Sequence, residues 1–307
     1  MNEIVFKVIY FQENKGLGNA LREAINHCSN ELVARMDSDD ISMNRRFELQ
    51  LKKFIKNPYL DIVGGNITEF EAVPSNIRME RVVAKTDVDI KQDMKKRCAM
   101  NHMSVMYKKT VVQKAGGYQD WPWNEDYYLW IRMMENRATF ENIPIALVNV
   151  RTGSDMSARR GGWKYFKSEQ MLQKYMLDHK LISLPRYIYN IFIRFCGEVA
   201  SPNWLRYRMF KLVRKSYKIQ RKHLYIKNEI GKKQKNTNYP PFSVAMSIYN
   251  KDNAEWFDIA LNSIINQTVR PSEIVLVVDG PVPKAIQEVI DKYIKICKCK
   301  EAVLCNR

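Results

Sequence analysis

Residues 32–40 read LVARMDSDD, an apolar run that ends in three carboxylates within four positions. The apolar part predicts a strand, and the acidic part falls where that strand would leave the sheet, which is where open α/β sheets carry their ligand sites. Because neighbouring carboxylates repel one another, the cluster favours a site for a divalent cation and a diphosphate. The alternative is a solvated acidic turn in which Asp40 or Ser42 caps the next helix.

Alternating strand and helix patterns extend outward from this stretch. Short apolar runs predict the strands, and amphipathic repeats bounded by glycine or polar residues predict the helices. The predicted strands lie at 4–10, 32–36, 62–68, 104–107, 242–249 and 273–278, and the predicted helices at 20–25, 45–55, 110–115, 126–135 and 254–266. This alternation predicts an α/β fold, a mostly parallel sheet flanked by helices.

Residues 242–307 form a separate α/β segment at the far end of the chain. Its strand, helix and buried strand make one βαβ unit, which is too small to cover its own sheet. We therefore expect it to dock on residues 1–158. Between the two lie a basic helical appendage at 159–226 and a polar linker at 227–241 that ends in two prolines.

The net charge of +17 is concentrated in one part of the chain. Residues 159–235 hold 20 Lys and Arg against 4 Asp and Glu, and residues 184–195 place bulky apolar groups beside cations. This composition indicates an anionic membrane surface as a partner. Nucleic acid fits less well, because no recognition motif accompanies the basic segment. The alternative is an appendage that packs its apolar side on the α/β domain and exposes its charges.

Three absences bear on location. No stretch of about twenty apolar residues occurs, the first residues lack a signal-peptide pattern, and six cysteines in 307 residues are too few for a disulfide framework. We expect a cytoplasmic protein that is peripheral at the inner face of the cell membrane.

Five motifs carry a resemblance to a known family. They are SVAMSIYN at 243–250, VVDGP at 277–281, ENKGLGNA at 13–20, ARMDSDD at 34–40 and ED at 125–126. Together they resemble family 2 glycosyltransferases of the GT-A fold, in particular bacterial enzymes, β-1,3-galactosyltransferases among them, that extend lipid-linked O-antigen or exopolysaccharide units. Such an enzyme would begin with the motif at 243–250, so the chain resembles a circular permutant. A gene rearrangement that joins one copy to the truncated start of another is the rival explanation.

The resemblance implies a role for each motif. The donor nucleotide would be bound by Tyr249, Asn250, Asp279, Gly280, Asn14, Gly16 and Asp37. A divalent metal, Mn or Mg, would be held by Asp39 and Asp37. Asp126 would be the general base, positioned by Glu125. Further contacts to substrate or diphosphate would come from His102, Trp123, Arg151, Arg159 and Arg160.

The residues alone leave structural roles open at these positions. Asp279 could form a turn with the glycine after it, and Glu125 with Asp126 could complement a helix dipole. His102 and Trp123 could be core residues, and the arginines a solvated basic turn.

The implied function is that of an inverting, metal-dependent transferase. It would move a hexose, galactose or glucose, from a UDP-sugar to a lipid-diphosphate-linked saccharide. One alternative is an inactive or incomplete permuted chain that only binds polyanions or membranes, and another is a nucleotidyltransferase. If the two halves close between chains, the protein would be a domain-swapped homo-oligomer.

Overall fold

The computed structural model describes residues 3–152, 162–200 and 238–305. The predicted contacts Arg159 and Arg160 lie outside these ranges, as do part of the basic appendage and most of the linker. Within the described ranges, no helix combines the length and the apolar composition that crossing a membrane requires.

The chain begins with strand β1 (Val5–Phe11), helix α1 (Leu17–His27) and strand β2 (Leu32–Arg35). Up to residue 152 there follow β3 (Ile41–Ser42), α2 (Arg46–Lys56), β4 (Ile62–Phe70), β5 (Ile77–Arg81), α3 (Asp87–Met94), a 3₁₀ turn (His102–Ser104), β6 (Met106–Lys108), α4 (Lys109–Lys114), α5 (Glu125–Glu135) and β7 (Phe140–Arg151). Residues 162–200 form α6 (Trp163–Asp178), α7 (Leu184–Arg194) and a π-helix (Phe195–Ala200). Residues 238–305 form β8 (Phe242–Ile248), α8 (Ala254–Ile265), β9 (Glu273–Val278), α9 (Lys284–Ile296) and β10 (Lys298–Cys305).

The described strands form one ten-stranded sheet. Its order is β10-β1-β9-β8-β2-β6-β4-β7-β3, with β5 paired to β4. β9 lies between β1 and β8 and pairs in parallel with both, and β8 pairs in parallel with β2. The two ends of the chain therefore share one sheet within a single molecule, and the predicted mostly parallel α/β fold is confirmed.

Apolar side chains cover both faces of this sheet. Alternate residues of β9 separate into two cores, with Ile274 and Leu276 in one and Val275 and Val277 in the other. Helices α2, α8 and α9 complete the first core, and α1, α5 and α6 complete the second. This period-two division explains why β9 is apolar at nearly every position.

Four of the described strands, β3, β5, β7 and β10, were not predicted from the sequence. β7 pairs in parallel with β4, and its register shifts between Ile143 and Ala146, where the chain accommodates Pro144. A proline inside an apolar run argues against a regular strand, so the sequence pattern did not predict β7. β10 pairs in parallel with the outer side of β1 at the sheet edge.

Candidate active site

The acidic cluster follows directly on β2. One carboxylate oxygen from each of Asp37, Asp39 and Asp40 lies within 4.8 Å of the other two. Asp40 is 1% exposed, whereas Asp37 and Asp39 are partly exposed. The three carboxylates therefore converge on a volume that a single cation could share.

Arg35, the last residue of β2, is buried beside the cluster. Its Nη2 pairs with the Asp37 carboxylate, while its Nε and Nη1 have no hydrogen-bond partner among the described residues. Although burial opposes the charge, the contact with Asp37 leaves the pKa of Arg35 above its usual value. Arg35 was not predicted as a site residue because it lies inside a run of residues that is otherwise apolar and typical of a strand. A lone cation inside such a strand is the signal that could have identified it.

Arg151, at the end of β7, contacts the acidic cluster. Its backbone N–H donates to Asp40 Oδ1 over 2.9 Å, and its Nε donates to the carbonyl oxygen of Asp39 over 3.3 Å. The guanidinium lies between two rings, 4.7 Å from the centroid of Phe70 and 4.3 Å from that of Trp256. The structure thus places Arg151 beside the cluster, where a diphosphate contact would need it.

The electrostatics of the cluster fit a divalent cation. Burial and then repulsion from Asp37 raise the pKa of Asp39 to about 6, and the same two causes raise the pKa of Asp40 well above its usual value. Asp40 Oδ2 is buried and has no hydrogen-bond partner among the described residues. Ionised carboxylates in such a place need a counter-charge, and Mn²⁺ or Mg²⁺ takes oxygen ligands of this kind.

Asp279 joins the two ends of the chain. It follows β9, and its Oδ1 and Oδ2 accept hydrogen bonds from the backbone N–H groups of Lys15, over 2.7 Å, and Gly16, over 3.0 Å. The carboxylate therefore complements the amino terminus of α1. Asp279 is buried, so a contact with a nucleotide would use the lone pairs that these two bonds leave.

The other predicted nucleotide residues lie around Asp279. Gly280 has φ of 85°, and a Cβ at this position would come within 2.8 Å of the backbone N of Asn14. Asn14 Nδ2 donates to the carbonyl oxygen of Asp279 over 3.3 Å. Tyr249 and Asn250 follow β8, whose last residue accepts the N–H of Asp279. The loops after β1, β8 and β9 therefore meet at one end of the sheet.

Asp252 is a fourth carboxylate at the cluster, and no pattern in the sequence predicted it. Its Oδ2 accepts hydrogen bonds from Ser38 Oγ over 2.9 Å and from the backbone N–H of Tyr249 over 3.1 Å. Burial raises its pKa to about 6 against the effect of these two bonds. In the sequence Asp252 lies in the polar run 250–253, which is typical of a turn, and only the sheet order brings it to Ser38.

Glu125 and Asp126 begin α5. Burial and then repulsion from Asp126 raise the pKa of Glu125 to about 7. Asp37 contributes to this shift and Arg35 opposes it, so Glu125 lies within electrostatic reach of the acidic cluster. A Cβ placed on Gly18 would lie 3.6 Å from the Cβ of Glu125, which puts the pair beside the first turn of α1.

Asp126 faces a different neighbourhood from Glu125. Its Oδ1 accepts the backbone N–H of Tyr127 over 2.7 Å, and its Oδ2 lies 3.9 Å from the Sγ of Cys98. Burial raises the pKa of Cys98, so this thiol is protonated and can donate. Asp126 is partly exposed and is held by these contacts.

The two remaining predicted residues differ in position. His102 is buried, with Nε2 2.7 Å from the hydroxyl of Tyr118, and burial lowers its pKa well below the usual value. Its ring is therefore neutral and already engaged. Trp123 is half exposed next to Glu125, with its ring centroid 6.5 Å from that of Tyr165.

The site therefore has two ends with different chemistry. The carboxylates after β2 could hold a cation and, through it, a diphosphate. The pair at the start of α5 could take a proton from a hydroxyl. Asp37 and Arg35 both influence the pKa of Glu125, so the two ends lie within electrostatic reach of each other.

Comparison with known proteins agrees with a site for transfer from a diphosphate to a hydroxyl. The profile of glycosyl transferase family 2 matches residues 2–114. An uncharacterized glycosyltransferase of Haemophilus influenzae is 35% identical over 204 residues, which cover 66% of this chain and 76% of that protein. The UDP-Gal:alpha-D-GlcNAc-diphosphoundecaprenol beta-1,3-galactosyltransferase of Escherichia coli is 33% identical over 204 residues, 66% of this chain and 74% of that enzyme. The amylovoran biosynthesis glycosyltransferase AmsE of Erwinia amylovora is 36% identical over 179 residues, 58% of this chain and 66% of AmsE. The chain belongs to glycosyl transferase family 2 and is a glycosyltransferase.

Proposed function

We propose that the chain transfers a hexose, galactose or glucose, from a UDP-sugar to the GlcNAc of a lipid-diphosphate-linked saccharide, with inversion at the anomeric carbon. The similar Escherichia coli enzyme is named for transfer from UDP-Gal to GlcNAc-diphosphoundecaprenol. The observation that carries the proposal is that loops from the two ends of the chain meet. Lys15 donates to Asp279, and Ser38 donates to Asp252 at the acidic cluster, which lies within electrostatic reach of Glu125.

The donor would be held by residues from both ends of the chain. Asp279 and the loops at 14–16 and 249–250 would contact the uridine, and the amino terminus of α1 would face the diphosphate. Held by Asp37 and Asp39, a divalent cation would neutralise the charge that develops on UDP as it leaves. Arg151, which two rings hold in place, would add a second positive charge near the diphosphate.

The acceptor would be activated at the start of α5. Asp126 would take the proton of the acceptor hydroxyl as that oxygen attacks the anomeric carbon from the face opposite UDP, so that one displacement inverts the configuration. The negative charge of Glu125 would raise the basicity of Asp126. Trp123, half exposed beside the pair, would stack on a sugar face of the acceptor.

We also infer that the chain order is a circular permutation of the order that the family resemblance implies. In that order β8 and β9 would come first and β1 and β2 would follow. The parallel pairing of β9 with β1 and of β8 with β2 supports this inference, because each half supplies the neighbour that the other lacks.

Transfer itself is the test of the proposed function. The chain is incubated with Mn²⁺, UDP-galactose or UDP-glucose, and a synthetic GlcNAc diphosphate that carries a short lipid. We expect a product heavier by one hexose, with a β anomeric signal in its proton spectrum. Donor binding without product from either sugar would contradict the proposed acceptor, and an α product would contradict inversion.

Asp252→Asn is expected to weaken UDP binding in the presence of Mn²⁺ by about tenfold. The neutral amide lacks the negative charge of the Asp252 carboxylate, and it accepts the hydrogen bond from Ser38 less strongly. Calorimetric titration measures the loss. Ser38→Ala should cost about as much, and the double variant should lose little more than either single one, since both remove one interaction. Asp291→Asn, an exposed carboxylate on α9, is the matched control. Fully additive losses would show that Asp252 and Ser38 act independently.

A further inference from the structure

Helix α7 turns a polar side toward the protein and exposes most of its apolar side chains. Asn190, which is 3% exposed, faces inward and donates to the carbonyl oxygen of Lys95 over 2.9 Å and to Oε1 of Gln173 over 2.7 Å. Arg194 pairs with buried Glu169 on α6 over 2.7 Å. The helix thus packs on its neighbours largely through polar side chains, and Tyr187 adds a partly buried apolar contact to the second core.

The apolar side of α7 points away from the protein. The exposed large side chains of α7 and the residue after it are Leu184, Ile188, Tyr189, Phe192, Ile193 and Phe195. Phe192 is 62% exposed, and Trp163 and Met171 of α6 are also more than half exposed. Of the apolar residues of α7, Tyr187 packs against the α/β core, whereas the residues named above are exposed. We call this surface of α6 and α7 the apolar face.

Exposed cations lie on the same two helices as the apolar face. The exposed basic residues of α6, α7 and the turn between them are Lys164, Lys167, Lys174, Lys180 and Arg186. The acidic residues of this turn and the two helices are paired, Glu169 with Arg194 and Asp178 with Lys174. The whole segment 159–235 carries an excess of 16 positive charges out of the net +17. Exposed apolar and aromatic groups together with exposed cations are what an anionic bilayer surface binds.

We propose that the apolar face docks on an anionic lipid bilayer, with α7 lying in the plane of the interface. Its Ile and Phe side chains would enter the headgroup boundary, and its lysines and arginine would contact lipid phosphates. A second copy of the chain fits less well, because two faces of the same positive charge would repel each other.

The apolar face continues toward the candidate active site. Ser168 of α6 accepts hydrogen bonds from Trp121 Nε1 and from Asn124 Nδ2, each over 3.1 Å. Trp121 and Asn124 lie in the short segment before Glu125, and the ring of Tyr165 of α6 is near that of Trp123. Docking would therefore hold the acceptor end of the site near the bilayer. In this respect the inference rests on the proposed function, since a lipid-linked acceptor would reach the site from the membrane.

Vesicle flotation with the full chain tests the proposal. The probes are vesicles of phosphatidylcholine alone and of phosphatidylcholine mixed with phosphatidylglycerol. We expect binding to the mixed vesicles only, weakened at high salt, and lowered at least about tenfold in the double variant Ile188→Ser, Phe192→Ser. The matched control is Ile55→Ser, Tyr59→Ser, which removes two exposed apolar groups from α2 and the loop after it and should bind as the unchanged chain does.

Two outcomes would overturn the proposal. Equal binding by the α7 variant and the control would show that the apolar face does not contact lipid. No vesicle binding by the unchanged chain, with an α7 variant that melts earlier or dimerises less, would show that protein covers the face. Flotation measures vesicle binding, and this measurement does not depend on sugar transfer. If transfer occurs, the α7 variant should lose activity on vesicle-embedded acceptor and keep it on a short, water-soluble one.

Discussion

Asp39→Asn is expected to lower kcat for hexose transfer by about a thousandfold, on the order of 4 kcal/mol of transition-state stabilisation. Asparagine keeps the size of the side chain but removes the charge that a divalent cation needs. Steady-state transfer with saturating donor measures the loss. Asp291→Asn on α9 should transfer at the unchanged rate. Equal rates for the two variants would show that Asp39 does not support catalysis.

The same variant should change how the fold responds to pH and metal. An acid whose pKa is raised by folding is less stable as an anion in the folded chain than in the unfolded one, so stability falls as pH rises through about 6, the pKa of Asp39 and Asp252. Mn²⁺ should reverse this loss, and its thermal stabilisation should grow as pH rises through that range because protons no longer compete. Asp39→Asn should lose most of the effect of Mn²⁺.

Asp126→Asn is expected to lower kcat by about a thousandfold while UDP still binds, because general-base catalysis contributes about 10² to 10⁴. The amide can no longer take the acceptor proton, but the donor half of the site is unchanged. Transfer rates and calorimetric UDP binding are measured on the same preparation. The matched control is Asp120→Asn, an exposed carboxylate in the loop before α5. Full transfer by Asp126→Asn would remove its assignment as base.

The variant Glu125→Gln distinguishes the role of Glu125 from that of Asp126. In the unchanged chain kcat/KM should fall as pH drops through about 7, where Glu125 takes a proton and no longer raises the basicity of Asp126. Glutamine carries no charge, so this limb of the profile should move to lower pH and the maximum should drop by about tenfold. A profile that keeps its limb near pH 7 in the variant would contradict the role of Glu125. If Glu125→Gln lost all transfer activity and Asp126→Asn kept it, Glu125 would be the general base instead of Asp126.

The sequence predicted the elements whose signals are local. The strand at 32–36 and its acidic end need no distant partner to be recognised, and the same holds for the glycine that opens α1. The need of residues 242–307 for a larger sheet also followed from size alone. The structure confirms the α/β sheet and brings Asp279 to the amino terminus of α1.

Other features depend on long-range packing and were therefore missed. Asp252 reaches Ser38 only because β8 pairs with β2. Arg35 is tolerated inside the sheet because Asp37 compensates its charge. Helix α7 has an ordinary amphipathic pattern, and periodicity cannot tell which side faces the protein. Only the inward hydrogen bonds of Asn190 decide this.

The central claim is that the two ends of one chain build a single metal-dependent donor site. Calorimetric titration of UDP with Mn²⁺ into the monomeric fraction from gel filtration tests it most directly. We predict one UDP site per monomer, lost without Mn²⁺ and in Asp39→Asn. No UDP binding by the monomer, or binding only in a dimeric fraction, would contradict closure of the donor site within one chain.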